Sequence, residues 1–221
     1  MDFAWSPDDE AFRRELRAFL DARLPADWEA LSKDGPGSDA QAAFAREFCP
    51  RLAERGWLAP HWPREYGGRD ATAWQHAILG EEMWRRGEPR SSQYMNVNWI
   101  GPTLMRFGSD AQKALHLPAI AAGRVFWCQG FSEPEAGSDL AALRTLALRD
   151  GEDYVVNGSK LWTSYVNHAD YCFLVVRSDP ASKRRQGISR TSIPGRSIDT
   201  RSTEMPRCRF DSGSVRATRK Q

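Results

Sequence analysis

The hydrophobic periodicity of this chain changes once, near residue 125, and that change divides it into two structural classes. Before it, apolar residues recur at helical spacing; after it they come in short runs rich in aromatic and β-branched side chains. Ser6-Pro7-Asp8-Asp9 supplies a capping hydroxyl, a proline where no amide donor is needed, and acids at the positive end of a helix dipole. Phe12, Leu16, Phe19 and Leu20 then form one apolar stripe until Leu24-Pro25. A polar, glycine-rich connector (32–38) leads to a second helix carrying Phe44, Phe48 and Leu52, which Pro50 is predicted to kink or divide and Gly56 to stop. Thr72 caps a third helix with Trp74, Ile78 and Leu79 on its apolar side, and Ser109 caps a fourth that reaches Ala121-Ala122 before Gly123.

From Val125 the run VFWCQGF favours strand, TLALRD and DYVVNG flank Asp150-Gly151, and KLWTSY follows Asn157-Gly158; both turns read as hairpin signals. The short apolar run YCFLVVR (171–177) predicts a buried strand. After Ser189 neither periodicity survives in a segment rich in Arg, Ser, Thr and Pro. The expected fold class is therefore α+β and multidomain: an all-α domain over 1–124, a small β domain over 125–189, and an irregular, disordered tail over 190–221.

Composition excludes several functions. With 31 basic and 29 acidic residues the net charge is +2, no footprint for nucleic acid or an anionic membrane. The eight basic residues of the tail are scattered without interleaved aromatics, so they do not make a nucleic-acid arm. The four cysteines, at 49, 128, 172 and 208, show neither zinc-site nor disulfide-scaffold spacing, which points to a reducing cytoplasm. The histidines at 61, 76, 116 and 168 lie far apart in sequence, giving surface or core roles and no metal. No secretion signal opens the chain and no apolar run approaches the roughly 20 residues of a membrane span. Dinucleotide, P-loop, nucleophile-elbow and H-E-x-x-H signatures do not occur, and the nine tryptophans read as core.

Two segments carry chemistry. In 129–139 (QGFSEPEAGSD) a strand gives way to hydroxyls, glycines and a proline-fixed bend, a loop suited to presenting N–H and O–H donors to a planar heterocycle such as a flavin. Taken alone it also fits a strand-to-helix turn capped by Ser138 or Asp139. In 160–164 (KLWTS), after the turn at Asn157-Gly158, strand periodicity places Trp162 and Ser164 on one side, a flat ring beside a hydroxyl. Trp162 could also be ordinary core.

In content, order and spacing, FSEPEAGSD (131–139), DYVVNGSKLWTS (153–164) and GWLAPHWPREYGG (56–68) resemble the acyl-CoA dehydrogenase family, a likeness covering residues 3–189. The resemblance implies an N-terminal helical domain, a partial middle β-barrel and FAD as cofactor, with the family's C-terminal four-helix domain missing. It implies that Gln129, Phe131 and Ser132 approach the flavin, Ser132 by a hydrogen bond to the ring system. Gly137 and Ser138 line the flavin and acyl-CoA side of the loop, Ser138 touching substrate. Trp162 covers one face of the isoalloxazine, with Thr163 in the same cofactor set. Ser164 stands where many relatives carry Thr, keeping the hydroxyl and losing the methyl that restrains it.

The implied reaction removes a proton α to a thioester carbonyl and passes a β-hydride to the flavin. The family's base is a Glu of the missing domain, so none of Glu133, Glu135 or Glu152 takes that role and no catalytic residue is assigned. The implied partners are an acyl-CoA substrate, an electron-transfer flavoprotein as acceptor, and further copies of the chain in a homo-oligomer. The expectation is a truncated FAD-dependent oxidoreductase of fatty-acid metabolism, its frame altered or ended near Ser189. The alternative is a non-catalytic remnant or interaction subunit of a related complex. Acyl-CoA oxidases and nitroalkane oxidases share the architecture.

Overall fold

The computed structural model describes residues 4–150, 153–178, 209–211 and 214–216. They belong to two compact units, one made of Met1–Pro102 with Ala114–Arg124 and the other of Thr103–Lys113 with Val125–Gln221. The first is helical and the second carries the strands, the fold class predicted from the change of periodicity.

The helical unit begins with α1 (Pro7–Arg23). Ser6 Oγ accepts the Asp9 amide at 3.1 Å and Asp9 Oδ2 accepts the Ser6 amide at 3.2 Å, a reciprocal cap that satisfies two otherwise unpaired donors. The stripe of Phe12, Leu16, Phe19 and Leu20 is buried as predicted. The short α2 (Trp28–Leu31) precedes α3 (Asp39–Glu54), which continues through Pro50 and so is not divided there. Packing supplies the reason: a Cβ on Gly123 would come within 2.8 Å of the Cys49 carbonyl carbon and 3.0 Å of Pro50 N. The chain at Gly123 thus lies directly against this turn, and that support outweighs the one hydrogen bond a proline cannot donate.

Thr72 caps α4 (Ala73–Arg85), which buries Ile78 and Leu79 but leaves Trp74 56 % exposed, edge-on to Trp5 at 5.4 Å. Trp74 was predicted on the apolar side; the buried stripe passes it by. Two guanidiniums from α1 hold the buried Glu82 of α4, with Arg13 and Arg17 each 2.8 Å from Oε1. Burial alone would raise the Glu82 carboxyl, and these two partners outweigh it to hold it below its ordinary range.

Residues 93–107, for which the sequence predicted no element, form α5 (Gln93–Met95), a π turn (Asn96–Ile100) and α6 (Gly101–Phe107). The upstream segment GWLAPHWPREYGG sends Trp62 into this region. Its Nε1 donates to Val97 O at 2.7 Å, and any side chain on Gly101 would overlap its ring. The fourth predicted helix is α7 (Asp110–Ala121), with the Gln112 amide on Ser109 Oγ at 3.3 Å and Gly123 at φ +67° just beyond it.

In the second unit β1 (Trp127–Gly130) pairs in parallel with β4 (Tyr171–Leu174), while β2 (Leu146–Asp150) and β3 (Asp153–Asn157) form the predicted antiparallel hairpin. β4 is half-buried along its length, where a buried strand was predicted; only Val176 beyond it is fully covered. Arg177 turns that end inward, its backbone exchanging bonds with Thr145 O and Ala147 N at 2.8 Å each. β5 (Arg209–Asp211) pairs antiparallel with β6 (Ser214–Arg216), Phe210 opposite Val215. An aperiodic tail was predicted there, and these two short paired strands are the difference. The remaining residues of 190–221, on which the expectation of disorder falls, lie outside the described residues.

Candidate functional site

The site is built where β1 ends. Gly130 is buried there, and a Cβ on it would approach Leu174 Cδ1 at 2.5 Å and Lys160 Cγ at 3.5 Å, so the strand leaves the sheet at a position only glycine fits comfortably. Gln129 is half-buried on β1. Phe131 follows with its ring tilted against Phe173 at 6.0 Å, and then Ser132, also half-buried. The chain folds sharply through Glu133–Ala136, where the Glu133 amide donates to Ala136 O at 2.8 Å and the Ala136 amide returns to Glu133 O at 3.1 Å.

The Glu133 side chain turns in. Its carboxylate accepts the Arg144 amide at 2.5 Å, the Thr145 amide at 2.9 Å and Lys160 Nζ at 2.7 Å. Lys160 is 1 % exposed and also donates to Phe131 O at 3.0 Å. Burial would raise the Glu133 carboxyl, but the Lys160 ammonium, Thr145 and the two amides overcome it and keep the group ionised, below its ordinary range. Burial pulls Lys160 down, and the pair opposes that. Beside this pair the Leu161 amide donates to Ser132 O at 2.8 Å. The two segments singled out in the sequence are therefore joined by one buried ion pair and two backbone contacts.

KLWTS is not a strand, and Trp162 and Ser164 do not share a strand face. The inward anchor of Lys160 and the Leu161 contact are followed by Trp162 in the left-handed region, φ +56°, with the Ser164 amide on Trp162 O at 2.9 Å and Tyr165 at φ +64°. Two left-handed residues in four reverse the chain repeatedly, which no strand allows. The result lifts the Trp162 ring out, 84 % exposed, with Ser164 exposed nearby and Thr163 half-buried between them. Thr163 Oγ1 is buried without a hydrogen-bond partner. Gly137 and Ser138 are exposed beyond the 133–136 turn, and among the described residues no hydrogen bond links them to 160–164.

The sequence missed the Glu133–Lys160 pair. Its signal was present, since each residue lies inside one of the two motifs, yet Glu133 was weighed only as a base. It also missed that His61 and His76 meet, ring centroids 3.9 Å apart, when the four histidines were read as widely separated. The segment from Gly67 to Thr72 returns the chain so that α4 brings His76 back over His61.

Comparison with known proteins places this geometry. The N-terminal domain of acyl-CoA dehydrogenases matches residues 6–124 and the middle domain matches residues 128–212. The chain belongs to the acyl-CoA dehydrogenase family. The middle-domain match runs past Ser189, where the likeness was predicted to stop. The chain is 42 % identical over 198 residues to acyl-CoA dehydrogenase FadE26 of Mycobacterium tuberculosis, covering 88 % of this chain and 49 % of that protein. Among solved structures it is similar to the Tcur3481–Tcur3483 steroid ACAD, with a TM-score of 0.75 and 39 % identity over 83 % of this chain and 47 % of that one. It is also similar to a glutaryl-CoA dehydrogenase from Mycobacterium smegmatis in complex with FADH2, with a TM-score of 0.66 and 28 % identity over 79 % of this chain and 44 % of that one. The chain spans about half the length of the relatives it matches. Among the described residues no helix is long and apolar enough to cross a membrane.

Proposed function

We propose that this chain supplies the flavin-facing part of an FAD-dependent acyl-CoA dehydrogenase site, and that residues 1–124 and 125–189 act as its helical and flavin-binding domains. The observation that carries the reading is Trp162: a large ring held 84 % exposed in a left-handed turn, on a segment anchored by a buried ion pair. Leaving such a ring in water forfeits roughly 2–3 kcal/mol of burial, which a planar ligand would recover. The unpartnered Thr163 Oγ1 and the exposed Ser164 hydroxyl beside it fit the polar edge of a flavin.

Bound FAD supplies the acceptor for a hydride from the β-carbon of an acyl-CoA thioester. In that role Trp162 covers one ring face, Ser132, Thr163 and Ser164 offer hydroxyls to its edge, and Gln129 and Phe131 set the depth at which β1 delivers the loop. Gly137 and Ser138 border the acyl-CoA side; Gly137 has open space where a Cβ would stand. Glu133 is not the base, because its oxygens are committed to Lys160 and to two backbone amides. None of the described residues is assigned the removal of the proton α to the carbonyl, and a site without a placed base forfeits about 10²–10⁴-fold in rate.

The acyl group is proposed to resemble that of the steroid-linked relative, and an electron-transfer flavoprotein in the cytoplasm to take the electrons. A second reading, an interaction subunit that works only beside a related chain, is favoured by the similarity to a structure named for two components. Anaerobic titration of the FAD-reconstituted protein with straight-chain, branched and steroid acyl-CoAs separates the two. Bleaching of the flavin supports the dehydrogenase; bound FAD that bleaches only after a related subunit is added supports the second reading; a folded chain that takes up no FAD overturns both.

A further inference from the structure

The strand pair that carries the candidate loop also aligns two thiols. Cys128 on β1 and Cys172 on β4 are register partners, although 44 residues of sequence separate them. Register partners in a parallel ladder project to one face, and Gly130 and Leu174, two residues further on, share it. A Cβ on Gly130 would lie 3.3 Å from Cys172 Sγ, with the Lys160 stem on the same side. The Cys172 thiol is hydrogen-bonded to Cys128, and both are free thiols. Neighbouring strands stand about 4.8 Å apart, within the roughly 4.4–6.8 Å Cα separation that a disulfide spans. Cys128 is 1 % exposed whereas Cys172 is half-buried, so a small reagent meets Cys172 first.

We propose that Cys128 and Cys172 form a redox site that closes to a cross-strand disulfide when a hydroperoxide is the oxidant. The Cys172 sulfur attacks one peroxide oxygen; the O–O bond breaks, water leaves, and Cys172 becomes a sulfenic acid. The Cys128 sulfur then attacks that sulfur; the S–S bond forms, the S–O bond breaks, and the departing hydroxyl takes the Cys128 thiol proton to leave as a second water. Two thiols lose two electrons and one hydrogen peroxide gains them. The hydrogen bond with Cys128, together with burial, raises the Cys172 thiol above its ordinary range, which slows the first step at neutral pH and makes it faster in alkali. β1 runs directly into Phe131, Ser132 and Glu133, so the new bond fixes the strand from which the candidate loop departs. The inference rests on the strand register and is independent of flavin binding.

The test uses the purified chain, treated with hydrogen peroxide, alkylated with N-ethylmaleimide in denaturant, digested and mapped by mass. A peptide pair joining Cys128 to Cys172, two hydrogens lighter than the reduced pair, is expected; dithiothreitol removes it and Cys172→Ser abolishes it. In Cys128→Ser, Cys172 is expected to stop as a sulfenic acid that dimedone traps. Protein unfolded in urea before oxidation serves as the control and should show no preference for this pair over pairs with Cys49 or Cys208. Full alkylation of Cys128 and Cys172 after treatment, or linkage of Cys172 to Cys208 in the folded chain, overturns the proposal.

Discussion

Trp62 and Trp162 both follow short, glycine-bearing loops, and the molecule treats them in opposite ways. Trp62 is 1 % exposed, its indole N–H satisfied by Val97 O, its ring lodged where Gly101 leaves room. Trp162 is 84 % exposed and held out by a left-handed backbone. The first gains its burial energy from the fold itself and ties the π turn and the start of α6 to the segment before them. The second forgoes that gain, and the structure that keeps it in place is polar: Glu133, Lys160 and backbone bonds to Ser132 and Phe131. At these two tryptophans, then, apolar packing buries one ring and polar contacts present the other.

The sharpest way to break the contrast is Trp62→Ala, expected to cost about 3–5 kcal/mol by leaving a cavity and removing the indole hydrogen bond to Val97 O. Urea denaturation followed by circular dichroism measures it, and a loss below about 1 kcal/mol would mean that Trp62 is not the keystone of its unit. Lys160→Met removes one partner of a buried pair and is expected to cost about 3 kcal/mol, since Glu133 is left charged without its cation. Hydrogen exchange should quicken at the Leu161, Arg144 and Thr145 amides before it does in the helices. Adding Glu133→Leu should restore part of the stability, and no restoration would show that the pair acts through more than its charges.

A smaller effect comes from His61 in the helical unit. Burial, with His76 next to it, lowers its pKa from 6.5 to about 4, and Arg90 adds to the repulsion while Val97 O and the Asn98 side chain of the π turn oppose it at the two rings. Between those pH values the unfolded chain binds a proton that the folded chain refuses, so stability is full above pH 6.5 and falls as the pH drops toward about 4. Denaturant midpoints measured across that window should fall with acid, and less steeply in His76→Gln; parallel slopes would deny the coupling. The smallest effect on stability is expected from Trp162→Ala, within about 0.5 kcal/mol, because the ring touches little that the fold needs. A larger loss in thermal unfolding would make Trp162 a structural residue.

What the sequence disclosed follows the range of the interactions. Ser6, Thr72 and Ser109 cap helices through partners three residues away, and their helices began where predicted. The β2–β3 hairpin is equally local. The undivided course of α3 through Pro50 depends on Gly123, far along the chain, and no local propensity carries that information. The same holds for the meeting of His61 with His76 and of Cys128 with Cys172. Gln129, Phe131, Ser132, Trp162, Thr163 and Ser164 are singled out by the family resemblance, and the strand geometry expected of the last three is replaced by left-handed turns. A period-two pattern in KLWTS cannot show that Lys160 points inward to Glu133 and that Trp162 turns to positive φ. Glu133 was legible as part of a motif, and its task became visible only with Lys160 beside it.

The most direct measurement of a flavin surface is titration of FAD into the purified chain and its Trp162→Ala variant, followed by flavin fluorescence, with circular dichroism confirming that both are folded. Saturable binding with quenching by the wild-type chain, weakened at least about tenfold in the variant, is expected if the ring contributes about 1.4 kcal/mol or more of stacking. A folded wild-type chain that leaves FAD fluorescence unchanged, or a variant that binds and quenches equally well, would contradict the assignment.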